Sequence, residues 1–256
     1  MYRFILLLIF FLFISGCSSP KTNQESEKVE LTVSAAASMQ NVLEELTKSF
    51  EKEYPTIKIS FNFGASGTLS QQISQGAPVD LFLSASMEKF NVLVDEGLIH
   101  NELNQHLIGN EIVLIVPKEN EKNITSLTDV NTKAEQISIG IPEIVPAGKY
   151  AKESLVKLKL WDVLENKIVP AKDVRQVLTY VETGNVDAGI VYQTDAEISN
   201  QIQSITIDPS THSAIIYPIG VIKSSNHISE ATLFYQFLSS EEALAIFEKY
   251  GFLRLH

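Results

Sequence analysis

Two serines, two small apolar residues and one tyrosine stand where this chain could do chemistry. Ser38 follows the apolar run Leu31-Thr-Val-Ser-Ala-Ala-Ala and precedes Met39, Val42, Leu43, Leu46 and Phe50, the spacing of a helix with one buried face. Ser66 lies in Gly64-Ala-Ser-Gly-Thr68, between an alternating strand at 57–63 and a helix over about 68–75. Ala147 follows Pro146, a residue suited to an early helical position because it has no N–H to lose there. Val174 follows Asp173, which with Gln176 has the spacing of a capping box. Tyr192 closes an apolar strand at 186–192 and can direct a phenol inward. The first four sit at or beside helix N-termini, Ser38 as an N-cap, where backbone N–H groups lack intrahelical partners and the helix dipole favours an anion.

Four helix starts, two serine hydroxyls and a phenol are all hydrogen-bond donors, with no obligatory cation among them. Such a set suits a fully deprotonated oxyanion, which only accepts hydrogen bonds. A protonated oxyanion such as hydrogen phosphate needs an acceptor as well, and size must separate the remaining dianions. Singly, each residue has a plainer reading: a serine as a helix cap, Ala147 and Val174 as ordinary helix residues, Tyr192 as packing. The anion reading rests on their corresponding places in two similar halves.

Those halves follow from the order of elements. Strand 31–38, its helix, strand 57–63, the helix at 68–75, strand 79–84 and a helix over 87–96 form the first series. A buried strand at 112–117 leads away, and the series restarts with strand 137–141, helix 146–158, strand 167–170, a helix from Asp173 to 183 and strand 186–192. Both series repeat a phrase in which a glycine ends a helix and Val-Asp opens a strand, as Gly76…Val79-Asp80 and Gly184…Val186-Asp187. Strand 215–222 then crosses back to helices at 229–238 and 241–250. We expect an α/β fold of two similar lobes with parallel-type sheets, joined by a two-crossover hinge with a cleft between them. Lobe I takes 29–110 and 216–256, lobe II 111–215. The alternative is one doubly wound domain with extra strands.

Composition bounds the partners. The 256 residues carry a formal net charge of −11, which argues against nucleic acid because phosphate neutralisation needs clustered Lys and Arg. Arg3, an apolar run at 4–14 and Ser15-Gly16 before Cys17 read as a secretory leader over 1–17 that is too short to span a bilayer comfortably. Ile14-Ser-Gly-Cys17 resembles a bacterial lipobox, whose cysteine is lipidated, and 18–28 reads as a flexible tether. The working protein is then expected on the outer face of the cytoplasmic membrane, lipid-anchored through Cys17 and monomeric. Cys17 is the single cysteine, so no intrachain disulfide can form.

The stretches Ala35-Ala-Ala-Ser38, Gly64-Ala-Ser-Gly-Thr68, Ala77-Pro-Val-Asp-Leu-Phe-Leu-Ser84, Pro142-Glu-Ile-Val-Pro-Ala-Gly148, Asp173-Val-Arg175, Gly189-Ile-Val-Tyr192 and Ile246-Phe-Glu-Lys-Tyr-Gly-Phe252 together resemble the molybdate-binding proteins of bacterial molybdate ABC transporters. The resemblance runs in order through 29–256. It implies the two-lobed type II periplasmic binding-protein fold, capture of molybdate or tungstate, and delivery to a permease with a separate ATPase subunit. By motif it places the oxyanion ligands at Ser38, Ser66, Ala147, Val174 and Tyr192, binding molybdenum as its oxyanion and not as a bare cation, with no cofactor. Ala65 and Gly67 depart from the serine-rich turn common in the family, and Ile141 stands where some relatives carry an acidic residue.

An enzyme is the rival class. The chain has no H-E-x-x-H, no P-loop and no G-x-S-x-G elbow, and His100, His106, His212, His227 and His256 lack metal-ligand spacing. Asp80 and Asp187 open strands away from the expected ligand end, which suits a structural role. Within binding proteins the runner-up ligand is sulfate, which differs from molybdate mainly in size. A structural lipoprotein would not need donors matched across two lobes.

Overall fold

The computed structural model describes residues 28–255. The leader with Cys17, and the tether up to Asn23-Gln24 and beyond as far as residue 27, lie outside the described residues. Among those described, no helix is long and apolar enough to cross a membrane.

The first series of elements runs β1 (Val29–Ala36), α1 (Gln40–Glu53), β2 (Ile57–Gly64), α2 (Ser66–Ser74), β3 (Leu81–Leu83), α3 (Met87–Asp95) and β4 (Ile99–Asn110). The second runs β5 (Ile112–Pro117), α4 (Leu127–Lys133), β6 (Ile137–Gly140), α5 (Pro146–Lys157), α6 (Trp161–Leu164), β7 (Ile168–Ala171), α7 (Val174–Glu182), β8 (Ala188–Tyr192), α8 (Gln193–Glu197) and β9 (Ile202–Thr206). The chain returns through β10 (Ile215–Ile222), α9 (Ile228–Leu238), α10 (Glu241–Lys249) and β11 (Leu253–Arg254).

These strands form two sheets, ordered β11-β4-β10-β3-β1-β2 and β7-β6-β8-β5-β9. Each holds a parallel trio, β2-β1-β3 in one and β7-β6-β8 in the other, built from two strand–helix–strand crossovers. The two lobes are therefore repeats of one plan. Their sheets are mixed, because β10 and β5 enter antiparallel beside β3 and β8, at corresponding places in the two sheets. Both strands carry the chain across from the other lobe, so they run against the trio they join.

The apolar faces meet as read from the spacing. Val42, Leu43, Leu46 and Phe50 of α1 are buried, and Phe50 packs edge-on to Phe234 of α9 with centroids 4.8 Å apart. Gly76, Gly97, Gly184 and Gly251 end helices at positive φ. Three elements differ from or add to the reading. The chain after β1 makes a 3-10 turn, Ala37–Met39, so Ser38 lies inside that turn and Met39, without a side-chain cap, precedes α1. The twelve-residue β4 and the edge strand β9 carry polar outward faces that hide their periodicity. The seven-residue α4 is announced only by its Ser126 cap.

Candidate functional site

The C-terminal ends of the parallel strands carry the site, as in open α/β sheets generally. Strand β1 delivers Ser38, β2 delivers Ser66 as the first residue of α2, and β6 and β7 lead into Ala147 of α5 and Val174 of α7. Tyr192 ends β8. All five residues line a single small cavity, walled by small residues such as Ala37, Ala65 and Ala85. All five are buried, from 0% exposure at Ser66 and Ala147 to 4% at Val174. Asp173, which the sequence reading treated only as a cap, also lines the cavity. Its Oδ1 accepts from the Gln176 N–H at 2.9 Å, while the Gln176 side chain accepts from the Lys172 N–H.

The hydroxyl partners decide what each group can offer. Ser66 Oγ accepts from the Ala85 N–H at 2.9 Å, which leaves its own proton available to the cavity. Tyr192 Oη has no hydrogen-bond partner in the protein although it is fully buried. Burial pushes the Tyr192 phenol well above the usual tyrosine range, so it stays protonated and can donate. An unpaired buried hydroxyl costs of order 1–3 kcal/mol, which a ligand oxygen accepting from it would offset. The Ala147 and Val174 N–H groups lie in the first turns of α5 and α7, where no intrahelical acceptor exists.

No lysine or arginine lines the cavity. The nearest cation named by the contacts is Arg175, next to Val174, whose Nη2 donates to the Ser38 carbonyl at 3.3 Å across the cleft. Its Nε lies 2.7 Å from Oδ1 of Asp195, a carboxylate with no solvent exposure. Desolvation pushes Asp195 up to about 6 against the pull of Arg175. The folded pKa thus lies above the ordinary 3.8, so the stability from this group is full below about pH 4 and lost as pH rises through about 6. Asp195→Asn should remove that slope. Melts of both proteins across this range check it: wild type should gain relative to the variant on acidification, and parallel curves would show no such linkage.

Further contacts span the cleft. The Gly67 N–H donates to the Ile144 carbonyl at 2.9 Å, Asn110 Nδ2 donates to Thr194 Oγ1 at 2.9 Å, and Lys149 pairs with Glu88 at the rim. Lys149, first, and Lys89 hold Glu88 below the usual carboxylate range. Both partners of the Lys149–Glu88 pair are exposed, so it is worth a kcal/mol or less. These bonds hold the lobes against each other in a closed arrangement. Sequence reasoning missed Arg175, Asp195, Asn110 and Tyr217; a charged residue three positions past the apolar end of β8 was the one available signal, at Asp195. Among the described residues no group of three or more His, Cys, Asp or Glu could hold a metal cation. Asp80 instead accepts from the Thr32 N–H at 2.7 Å and from Ser225 Oγ, and Asp187 from the N–H groups of Glu135 and Gln136.

Comparison with known proteins gives a consistent picture. The family model described as bacterial extracellular solute-binding protein matches residues 31–253. A Bacillus subtilis (strain 168) protein, YvgL, named as a candidate ABC transporter substrate-binding lipoprotein, is 53% identical over 251 residues, 97% of this chain and 96% of the relative. The molybdate-binding protein ModA of Escherichia coli (strain K12) is 37% identical over 236 residues, 90% of this chain and 91% of its own. Among solved structures, the substrate-binding domain of a candidate molybdenum ABC transporter from Clostridium difficile matches with a TM-score of 0.69 and 41% identity, covering 90% of this chain and all (100%) of that one.

Proposed function

We propose that this chain, which belongs to the family of bacterial extracellular solute-binding proteins, captures molybdate between its two lobes and delivers it to an ABC transporter. The family is one of transporter binding proteins and not of enzymes, and it works outside the cytoplasm. Tungstate, with the same charge and shape, is the second ligand of this reading.

The observation that carries it is one buried cavity on which hydrogen-bond donors of both lobes converge, with no lysine or arginine in its lining. Ser38 and Ser66 would each give a hydroxyl and a backbone N–H, Ala147 and Val174 a backbone N–H, and Tyr192 its phenol. Lobe I, 29–110 and 216–256, would supply the two serines, and lobe II, 111–215, the other three. Neither half then binds the anion fully alone, and closure completes the shell. Expulsion of water lowers the local dielectric and strengthens every one of these bonds. The closed form is what a permease would recognise, with ATP hydrolysed by a separate subunit. A lipid on Cys17 would keep the receptor, a monomer, at the outer face of the membrane beside that permease.

Thermal unfolding of the ligand-stripped protein with molybdate, tungstate, sulfate or phosphate tests the reading. A ligand at about a thousand times its Kd should stabilise the fold by roughly 4 kcal/mol. A large shift with molybdate and tungstate alone is expected; an equal shift with sulfate would move the assignment to that anion, and no shift with any would refute it. Ser38→Ala should weaken molybdate binding by about 1.5–3 kcal/mol, the usual worth of a hydrogen bond to a charged group, as read by calorimetry. Unchanged affinity would remove Ser38 from the shell.

A further inference from the structure

Behind Ser38 lies a chain of polar groups that the ligand does not reach. Ser38 Oγ is 2.9 Å from Tyr217 Oη, on β10, and both residues are buried. Tyr217 Oη in turn lies 3.2 Å from Asn110 Nδ2, at the end of β4. The orientation of the Asn110 amide is fixed, because its Oδ1 accepts from the Glu111 N–H at 2.8 Å. Its Nδ2 must then face outward with two protons, one donated to Thr194 Oγ1 and one to Tyr217 Oη.

We propose that Asn110 and Tyr217 are positioning residues that set the direction of the Ser38 hydroxyl, so that Ser38 can only donate into the cavity and protonated oxyanions are rejected. Each link follows from donor and acceptor capacity. Asn110 donates to the Tyr217 oxygen, and Ser38 Oγ, 2.9 Å away, is the acceptor placed for the phenol's single proton. Ser38 Oγ, already accepting, turns its own proton toward the ligand. Burial pushes the Tyr217 phenol well above its ordinary range, so the proton this relay needs is not lost to solvent. Ser66, just past the end of the neighbouring strand, is oriented the same way by the Ala85 N–H. Asp173, a carboxylate lining the cavity, has Oδ1 committed to its own helix. A ligand O–H directed at Ser38, Ser66 or Tyr192 therefore meets a donor and strands its proton there, at the cost of a buried unpaired polar group.

The inference rests on the molybdate reading, and its test separates the two. Asn110→Asp replaces an amide by a carboxylate of the same shape, which accepts from Tyr217. The phenol then turns away from Ser38, and the serine can donate to Tyr217 and present a lone pair to the cavity. Tyr217→Phe, which deletes the relay, is the second variant should the first not fold. Calorimetry at pH 8.5 would compare molybdate, selenate and hydrogen arsenate. The last two are dianions of similar size that differ by one proton, so added charge and cavity size cancel in their ratio. We expect Asn110→Asp to weaken molybdate and selenate by about 10- to 100-fold, the equivalent of one charge-assisted hydrogen bond. Hydrogen arsenate should lose far less, or gain, so that the selenate-to-arsenate preference falls about 10-fold or more. Tyr217→Phe should lower the preference in the same direction. Wild-type binding of molybdate with an unchanged selenate-to-arsenate ratio in both variants would overturn the relay and leave the receptor assignment intact. Failure of the wild type to bind molybdate would refute the assignment and the relay with it.

Discussion

Gly67→Ala should leave the ligand-free protein as stable as the wild type, or slightly more so, yet weaken molybdate binding by about 10- to 100-fold, if closing is opposed by the 1–3 kcal/mol typical of an overpacked contact. Gly67 is the second residue of α2 and has no positive φ, so alanine is at home in its backbone conformation. In an exposed helix the exchange would even help by up to about 1 kcal/mol. The obstacle lies across the cleft. A Cβ at this position would sit 2.7 Å from the Ile144 carbonyl oxygen and 2.8 Å from the Ile144 Cα. Both atoms are backbone, so no rotamer change makes room and the lobes must part by several tenths of an ångström beside Ser66. The penalty therefore falls on the closed form alone. Thermal melts with and without molybdate, together with calorimetry, read the two effects separately. An unaltered affinity would mean that the Gly67–Ile144 contact is not made in the liganded receptor.

Gly148→Ala should act on the fold itself. Its Cβ would lie 1.9 Å from the Gly140 carbonyl oxygen and 2.5 Å from the carbonyl carbon, so α5 packs directly on the end of β6 at this residue. Relief requires α5 to lift by more than an ångström, which would break the burial of Tyr150, Ala151 and Leu155 behind it and withdraw the Ala147 N–H from the cavity. We expect a loss of about 3 kcal/mol or more, at the upper end for overpacking, and a fall in Tm of roughly 6–12 °C for a protein of this size. Gly189→Ala is a milder comparison, since its neighbours at 2.8 and 2.9 Å are ends of the Val177 and Val181 side chains. A Gly148→Ala protein that melts with the wild type would show that the helix start is free to move, and the close packing would then not be what fixes the anion donors.

The two glycines show where sequence reading succeeds and where it stops. Local signals sufficed for α1, α5 and α7, whose apolar spacing, Pro146 and Asp173 cap all lie within one turn of the elements they define. They also located the five candidate residues that line one cavity, because a residue at a strand end or helix start is specified by the strand and helix around it. The role of Ser38 as a cap did not survive, since Tyr217, 179 residues away, takes its hydroxyl and a 3-10 turn comes between. The flanks of Ser66 read only as a departure from the family's serine-rich turn, whereas Gly67 is where backbone of the other lobe packs directly against α2. Contacts of that kind depend on how the lobes meet, which no window of sequence contains. The polar strand β4 was hidden for a related reason: its outward residues face solvent, and its inward ones gain their meaning only from pairing with β10.

That pairing also governs how the molecule moves. Asn110 of β4 and Ile215 of β10 are ladder partners, and the chain leaves the six-stranded sheet after the first and rejoins it at the second. The two crossings to the second sheet thus leave from the ends of one antiparallel pair, β4 and β10, that lies inside the six-stranded sheet. A pair of that kind bends out of its plane more readily than it shears within it, because sliding would break its ladder bonds while bending shares the strain along the strands. Parting of the lobes about these two adjacent crossings would then be favoured over a slide of one past the other. Asn110 lies where the first crossing begins and also at the head of the hydrogen-bond chain proposed to orient Ser38, so one side chain joins the crossing to the site.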